Sequence, residues 1–554
     1  MLELEILFPD GKAFWETYEG PITLRQILKI HKDDHRYQIL AATFNNLDIR
    51  LNETITSSGR VEFFDLRTPY ANMSYQSSLT FLYLKAVHDV FGKSVKVTIA
   101  NSLSKGLFTV IHASGVNDKK AQEIEDRMKE LVLADIPIEE ETMTKDEAMV
   151  YVRENGDKDA LRLLKSAPDL NKVYACSLDD EKSLFYTHLL PSTRYIKLFD
   201  IHRYRNGVIF RFPHPSDPSS IPPYEHQKIL YDAFSEETHW GRLMGVSTSA
   251  ELNELINKNE YRDLIMLSEA LHERKINDIA LAIRESGRRI ILIAGPSSSG
   301  KTTFAKRLCI ALRVLGIRPL YLGTDDYFIN RADMIPDEFG NLDFESIDAV
   351  DIDLFTDHMN ELLAGQKVDI PEFNFITGEK EFGKRITSID RSQPIVIEGI
   401  HGLNPKLTEG IDDDEKFRIY ISPLTQINLD MNHRVPTTDV RMLRRMIRDY
   451  RTRGRSARQT IHDWPSVRGG EEIYIFPFNT EADAFFNSQC LYELSVIKKY
   501  AEPLLRKITQ DMSEYAEAQR MLKFLSFFAL IEDDSVIANN SILREFTGGS
   551  IIMD

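Results

Sequence analysis

Residues 288–308 read RRIILIAGPSSSGKTTFAKRL. An apolar run, Ile290 to Ala294, leads into a glycine-bounded loop, and an apolar-periodic helix starting near Lys301 leads out. The loop fits GxxxxGK[ST] in full, from Gly295 to Thr302. A strand, a phosphate loop and a helix in that order predict a parallel α/β sheet flanked by helices. In such a loop the backbone N–H groups of Gly295, Pro296, Ser297, Ser298, Ser299 and Gly300, proline excepted, turn inward around phosphate oxygens at a positive helix end. Lys301 adds charge at the outer phosphates, and the Thr302 hydroxyl can ligate Mg²⁺. Thr303 belongs to the same nucleotide-contacting run and supports the helix start.

Working outward, RPLYLGTDD (318–326), LFTDHMNELLAG (354–365), QPIVIEGI (393–400) and FRIYIS (417–422) alternate strand and helix as a parallel sheet requires. Asp325 and Asp326 end one strand at the edge where such sheets place their sites, and one of the two can act as a base toward an acceptor hydroxyl. Glu398 ends another and can hold Mg²⁺ directly or through water. Between 441 and 458, RMLRRMIRDYRTRGRSAR carries eight arginines in a chain of net charge -17. Arg441, Arg445 and Arg448 share a helical face, and Arg453 and Arg455 flank Gly454 at a turn. Arginine forks of this kind suit polyphosphate and a transferring phosphoryl group.

Upstream the texture changes. Residues 1–68 alternate short strand-like runs with one helical stretch, ITLRQILKIH. Residues 69–212 mix long helical patterns with strands, as an α+β unit does. FPHPSDPSSIPPYEH, with five prolines, opens a boundary and helical connector over 213–287, and 288–554 holds the loop-bearing part. The 554 residues exceed one ordinary core. No window approaches the ~20 apolar residues of a membrane span, and MLELEILFPDGK lacks the order of a secretory signal, so a cytoplasmic protein without a membrane partner is expected. The acidic balance argues against general nucleic-acid binding. Cys176, Cys309 and Cys490 lie far apart and predict neither a zinc site nor disulfides. The sequence is compatible with a homo-oligomer and does not fix one.

GPSSSGKTTFAKRL, TDDYF, DFESIDAVDIDLF, PEFNF, IVIEGI and RRMIRDYRTRGRS follow one another in the order and near the spacing of the uridine kinase and phosphoribulokinase family of P-loop kinases. The resemblance covers roughly 288–500. It implies an ATP-dependent kinase in which Lys301 and Asp325 are catalytic, Asp325 activating the 5'-hydroxyl of a nucleoside. It also implies that Asp343 binds the ribose hydroxyls, with Glu345 as rival because the match slips by two residues there. Arg445, Arg448, Arg453 and Arg455 take lid and substrate positions, Arg448 and Arg453 counting also as catalytic, Arg445 and Arg448 as substrate-binding and Arg455 as ATP-binding, and Phe373 and Phe375 offer stacking surfaces to the base. Gly378 stands where the family carries a base-reading histidine. A phosphorylated sugar or a pantothenate-like alcohol remains an alternative acceptor. WPSVRGGEEIYIFPFNTEADAFFNS is shared with longer bacterial nucleoside kinases, and its Glu471, Glu472 and Asp483 either close the nucleoside pocket or pack the lid.

The front half has its own likeness. ILFPDGK, AATFNN and VEFFDL resemble the β-grasp TGS module of threonyl-tRNA synthetases, and SLTFLYLKAVHDVFG with VYACS onward resembles their editing-type second domain. Where that domain's helix carries HxxxH, this chain has Phe81 and Lys85, and the later Cys/His pair is represented at best by His188. From this half comes a second functional expectation, an RNA-associated protein with a nucleotide-dependent switch.

Overall fold

The computed structural model describes residues 1–334, 343, 345–425 and 427–553. Phe344, within the DFES motif, lies outside the described residues.

The loop-bearing sheet is built from β1 (Ile290–Ala294), β2 (Leu320–Gly323), β5 (Ile395–Glu398), β6 (Lys416–Ser422) and β7 (Ala484–Asn487), in the order β2-β5-β1-β6-β7, with all neighbours parallel. The intervening β3 (Val368–Asn374) and β4 (Glu379–Thr387) form a separate antiparallel hairpin. Successive β1 side chains point to opposite faces, and both faces are buried. Ile290 and Leu292 pack with Leu322, Ile395 and Ile397, while Ile291 and Ile293 pack with Phe304, Leu308 and Ile419. A strand buried on both sides reads as an unbroken apolar run, which is why IILIA is one. Each of its four fully buried aliphatic chains contributes roughly 1.5–3 kcal/mol of transfer free energy.

The helices follow from local rules. The first, α1 (Lys301–Val314), starts after Gly300, whose φ of +86° is reached cheaply by glycine. Next, α2 (Ile352–Leu363) is capped by Asp351, which accepts the Leu354 N–H. The arginine run forms α3 (Thr437–Thr452), and Gly454, at φ +65°, turns the chain into α4 (Ala457–Tyr474), which opens with a Ser456/Gln459 capping box. Beyond β7 come α5 (Glu493–Leu505), α6 (Tyr515–Leu525) and a short α7 (Leu543–Thr547).

The front half carries a five-stranded mixed sheet over residues 2–65 with the helix Leu24–Ile30 against it, then the buried helix Pro69–Phe91. Four-stranded and three-stranded antiparallel sheets follow, and three helices run from Lys228 to Ser286. Among the described residues no helix is long and apolar enough to cross a membrane. The strand Val97–Leu103 grips the segment leading into α3. Ile99 donates its N–H to the Met431 carbonyl at 2.9 Å, and Asn428 Nδ2 donates to the Ile99 carbonyl at 2.8 Å. Tyr186 adds a 2.9 Å bond to Asp430.

Candidate active site

The parallel register sets three groups side by side at the carboxyl ends of the strands. Glu398 of β5 pairs in register with Ile293 of β1 and Gly323 of β2, so its carboxylate sits between the phosphate loop and the Asp325 turn. It accepts the Thr302 Oγ1 hydroxyl at 2.9 Å and the Tyr321 hydroxyl at 3.2 Å. Burial pushes Glu398 up to about 7, against the opposing field of Lys301. Lys301 Nζ lies folded on the loop, donating to the Gly295 and Pro296 carbonyls at 2.9 and 3.1 Å, and desolvation lowers its pKa.

The two aspartates separate. Asp326 is tied to Arg385 at 2.6 Å. Asp325 has no ion-pair partner among the described residues and faces water inside the cleft. It is nonetheless deep enough in the cleft that surrounding protein withdraws solvent from its charge and raises its pKa. Lys301 and Arg453 pull the other way, and Asp326 and Glu345 add to the rise. An ionisable carboxylate that feels both the loop lysine and a lid arginine can take a proton from a hydroxyl placed between them. Glu345 is half-buried, lies against Gly470 of α4, and acts electrostatically on Lys301, Asp325, Arg441 and Arg445. Asp343 is exposed, and its recorded contact is the Glu345 N–H at 2.9 Å.

The arginines divide by task. Arg441 and Arg444 are fully buried. Arg441 holds the Ser297 carbonyl and Glu471, and Arg444 holds Glu493 together with the Ser298 and Ser488 carbonyls. These two brace the loop. Arg445 donates to Ser297 Oγ at 2.8 Å, and Arg445, Arg448 and Arg453 converge on Asp449, at 3.4, 2.8 and 3.4 Å. Asp449, the lone acid inside the arginine run, was the signal for this hub, and sequence reasoning passed over it. Arg455 turns away to pair with Asp463. Glu471 accepts the Ser297 N–H at 3.0 Å and binds Arg441 and Arg468, while Asp483 binds Arg288 and the Arg418 N–H. Glu471 therefore packs the lid against the loop, whereas Asp483 ties the amino ends of β1 and β6 at the opposite edge of the sheet. Thr303 is buried, and its N–H and hydroxyl are taken by Glu545.

Phe373 is buried against Phe328 at a ring distance of 5.7 Å, and Phe375, 57% exposed, stands edge-on to it at 5.1 Å. Gly378 closes the hairpin turn at φ +77°, and a Cβ there would lie 2.7 Å from Arg331 Cβ. Arg331 donates to the Phe375 carbonyl at 2.9 Å. The place expected for a histidine is filled by an arginine from elsewhere in the chain. His401 is buried, pushed down to about 4 by burial, and stands edge-on to Tyr474.

Residues 290–494 match the model of the Phosphoribulokinase / Uridine kinase family. A uridine kinase of Chloroflexus aurantiacus is 30% identical over 202 residues, 36% of this chain and 85% of that protein. The chain belongs to this family. Its fold here is that of a P-loop kinase. A solved structure of a possible uridine kinase from Bacillus stearothermophilus covers 41% of this chain and 99% of its own at 22% identity, with a TM-score of 0.26. The front half matches a threonine–tRNA ligase of Syntrophotalea carbinolica, 33% identical over 207 residues, and spans 31% of that protein's length. The family member is thus joined to a synthetase-like front half whose expected HxxxH positions have been rebuilt. Phe81 packs on Phe185 at 5.0 Å, and Lys85 pairs with Asp89 and Asp180.

Proposed function

We propose that the chain transfers the γ-phosphoryl group of ATP to the 5'-hydroxyl of a nucleoside. The observation that carries this reading is the contrast between two adjacent aspartates: Asp326 is neutralised by Arg385, while Asp325 has no ion-pair partner among the described residues and feels the charges of Lys301 and Arg453. In this reading Asp325 Oδ accepts the proton of the acceptor hydroxyl as the phosphoryl group moves. Lys301 and the loop amides from Gly295 to Thr302 hold the phosphates. Arg445, Arg448 and Arg453 balance the charge that develops on the transferring group, and Arg455 joins them once it leaves Asp463. Thr302 and Glu398 present a hydroxyl and a carboxylate 2.9 Å apart, the hard oxygen donors a Mg²⁺ ion takes, and would hold it there. When bound, that ion neutralises charge on the outer phosphates. Phe373 and Phe375 supply the base surface, and Glu345, which faces the cleft, is better placed than Asp343 for the ribose hydroxyls.

Arg331 beside Gly378 favours a second acceptor class. A guanidinium at the end of the acceptor hairpin suits a phosphorylated sugar or another anionic alcohol. We also infer four units, 1–68, 69–212, 213–287 and 288–554, with the front ones serving regulation or assembly through their grip on the segment before α3.

The test is ADP formation from Mg-ATP with a panel of nucleosides and sugar phosphates. Asp325→Asn should lower kcat by about 10³-fold with the true acceptor while nucleotide binding persists. Near-normal turnover of that variant with every acceptor would remove Asp325 as the base. Hydrolysis stimulated by RNA and indifferent to all small acceptors would favour the switch reading instead.

A further inference from the structure

The last residues of the chain reach the phosphate loop. Helix α1 starts at Lys301, so the Thr303 N–H belongs to the first helical turn, whose donors have no acceptor within the helix, and the intrahelical series begins with the next amide, Phe304 to the Gly300 carbonyl. In a loop of this type such donors hold the phosphate chain of a nucleotide. Here the Thr303 donors are already occupied. Glu545 accepts the Thr303 N–H at 3.2 Å and the Thr303 hydroxyl at 2.6 Å. Glu545 is 9% exposed, and among the described residues no cation lies within ion-pair distance of it. The partner of this buried carboxylate is the positive end of α1.

The surrounding contacts press the same segment onto the loop. Ile542 Cγ2 would lie 2.5 Å from a Cβ on Gly300, so its methyl group fills the space that glycine leaves. Lys306 Nζ donates to the Ile552 carbonyl at 2.9 Å. The arginine helix α3 holds the segment from its other side, through Arg451 to the Phe546 carbonyl at 2.7 Å and Arg444 over the Phe546 ring at 4.8 Å. Just beyond α7, Gly548 and Gly549 take φ of +98° and +74°, the glycine conformation that ends the helix, where the Gly548 N–H caps the Arg544 carbonyl at 2.9 Å.

We propose that Glu545 is a resident anion that competes with the phosphate chain of the donor nucleotide for the Thr303 donors, so that nucleotide binding displaces the 541–552 segment. This rests on the nucleotide-binding reading given above. A carboxylate and a phosphate oxygen cannot share one N–H at hydrogen-bond distance without strong like-charge repulsion. The occupant therefore sets the apparent affinity, as a conformational equilibrium taxes any ligand whose competent state is partly populated. Because α3 grips the same segment and also carries Arg445 and Arg448, its release is linked to movement of the lid arginines.

The experiment uses the full chain and a non-hydrolysable ATP analogue with Mg²⁺, read by calorimetry and by hydrogen exchange. Glu545→Gln keeps the shape and the hydrogen-bond acceptor and removes the charge, and it should bind the analogue about tenfold more tightly. In the unsubstituted chain, saturating analogue should speed amide exchange over 541–549. Unchanged or weaker binding by Glu545→Gln overturns the proposal, as does slower exchange over 541–549, which would make the segment a wall of the occupied site. The exchange measurement needs no variant and decides the matter if Glu545→Gln does not fold. Binding that Lys301→Ala abolishes and Glu545→Gln leaves unchanged sinks this proposal alone. No binding by the unsubstituted chain sinks the nucleotide reading and this proposal together.

Discussion

Two charge clusters, one in each half of the molecule, are built around buried centres of opposite sign, and only one of them is balanced. Around Asp449 three guanidiniums, Arg445, Arg448 and Arg453, share one carboxylate. Around Lys85 lie three carboxylates, Asp89, Asp179 and Asp180, at 2.5, 3.7 and 3.0 Å, and Asp89 and Asp180 are paired in turn with Arg127 and Lys93. In the first the protein leaves cationic capacity unspent at the mouth of a cleft, and burial together with mutual repulsion lowers the pKa of Arg445 and Arg453. In the second three acids meet three cations, Lys85, Lys93 and Arg127, and the charges are matched within the cluster. Charge alone does not mark a site. Charge left over after internal pairing does.

Breaking the first cluster should have the largest effect. Asp449→Ala removes the carboxylate that gathers three arginines, and kcat/KM for Mg-ATP should fall about 10²-fold, the scale expected when positioning of charge-stabilising donors is lost. A loss under threefold would show that the arginines find their places without it. Breaking the second should leave catalysis within about twofold. Lys85→Met should instead lower thermal stability by ~1 kcal/mol or more, read as a shift of the melting temperature, because a buried hydrogen-bonded cation is lost. The double change Phe81→His with Lys85→His restores the residue types of a metal-binding pair and should still fail to bind zinc tightly, since the nearby carboxylates of Asp89 and Asp180 are held by Arg127 and Lys93. Micromolar or tighter zinc affinity by titration would contradict that.

The smallest effect concerns pH. Burial raises Asp325 above the ordinary aspartate range, and the neighbouring charge of Asp326 adds to the rise. A base must be ionised, so activity is lost as pH falls through this raised value. Asp326→Asn removes one negative neighbour, lowers the Asp325 pKa, and should move the acid limb of kcat/KM to lower pH by a few tenths of a unit. An upward movement would mean that the field of Asp326 is not what the Asp325 carboxylate feels.

Much of the rear half was legible in the sequence because its signals are local. The buried strand, the glycine-bounded loop, the helix start and the arginine run are each read within a window shorter than about twenty residues. Which aspartate stays free was not legible, since Arg385 reaches Asp326 from 59 positions away. The same holds for Glu545, which meets Thr303 across 242 positions, and for Glu471 on the Ser297 amide across 174. Asp343 and Glu345 were equal candidates in the sequence, and the structure distinguishes an exposed carboxylate at 343 from a half-buried one at 345. In the front half the missing histidines were visible, whereas the aromatic packing that replaced them was not.

The crowding at residue 378 has a consequence for how this protein's selectivity could change over generations or in the laboratory. A histidine introduced there meets Arg331 at 2.7 Å and must also adopt the left-handed backbone that glycine holds at φ +77°. The single substitution is therefore a dead end. Because the nearest atom is the Arg331 Cβ, only glycine at 331 or a shift of its backbone clears the space, and the hairpin turn has to relax as well.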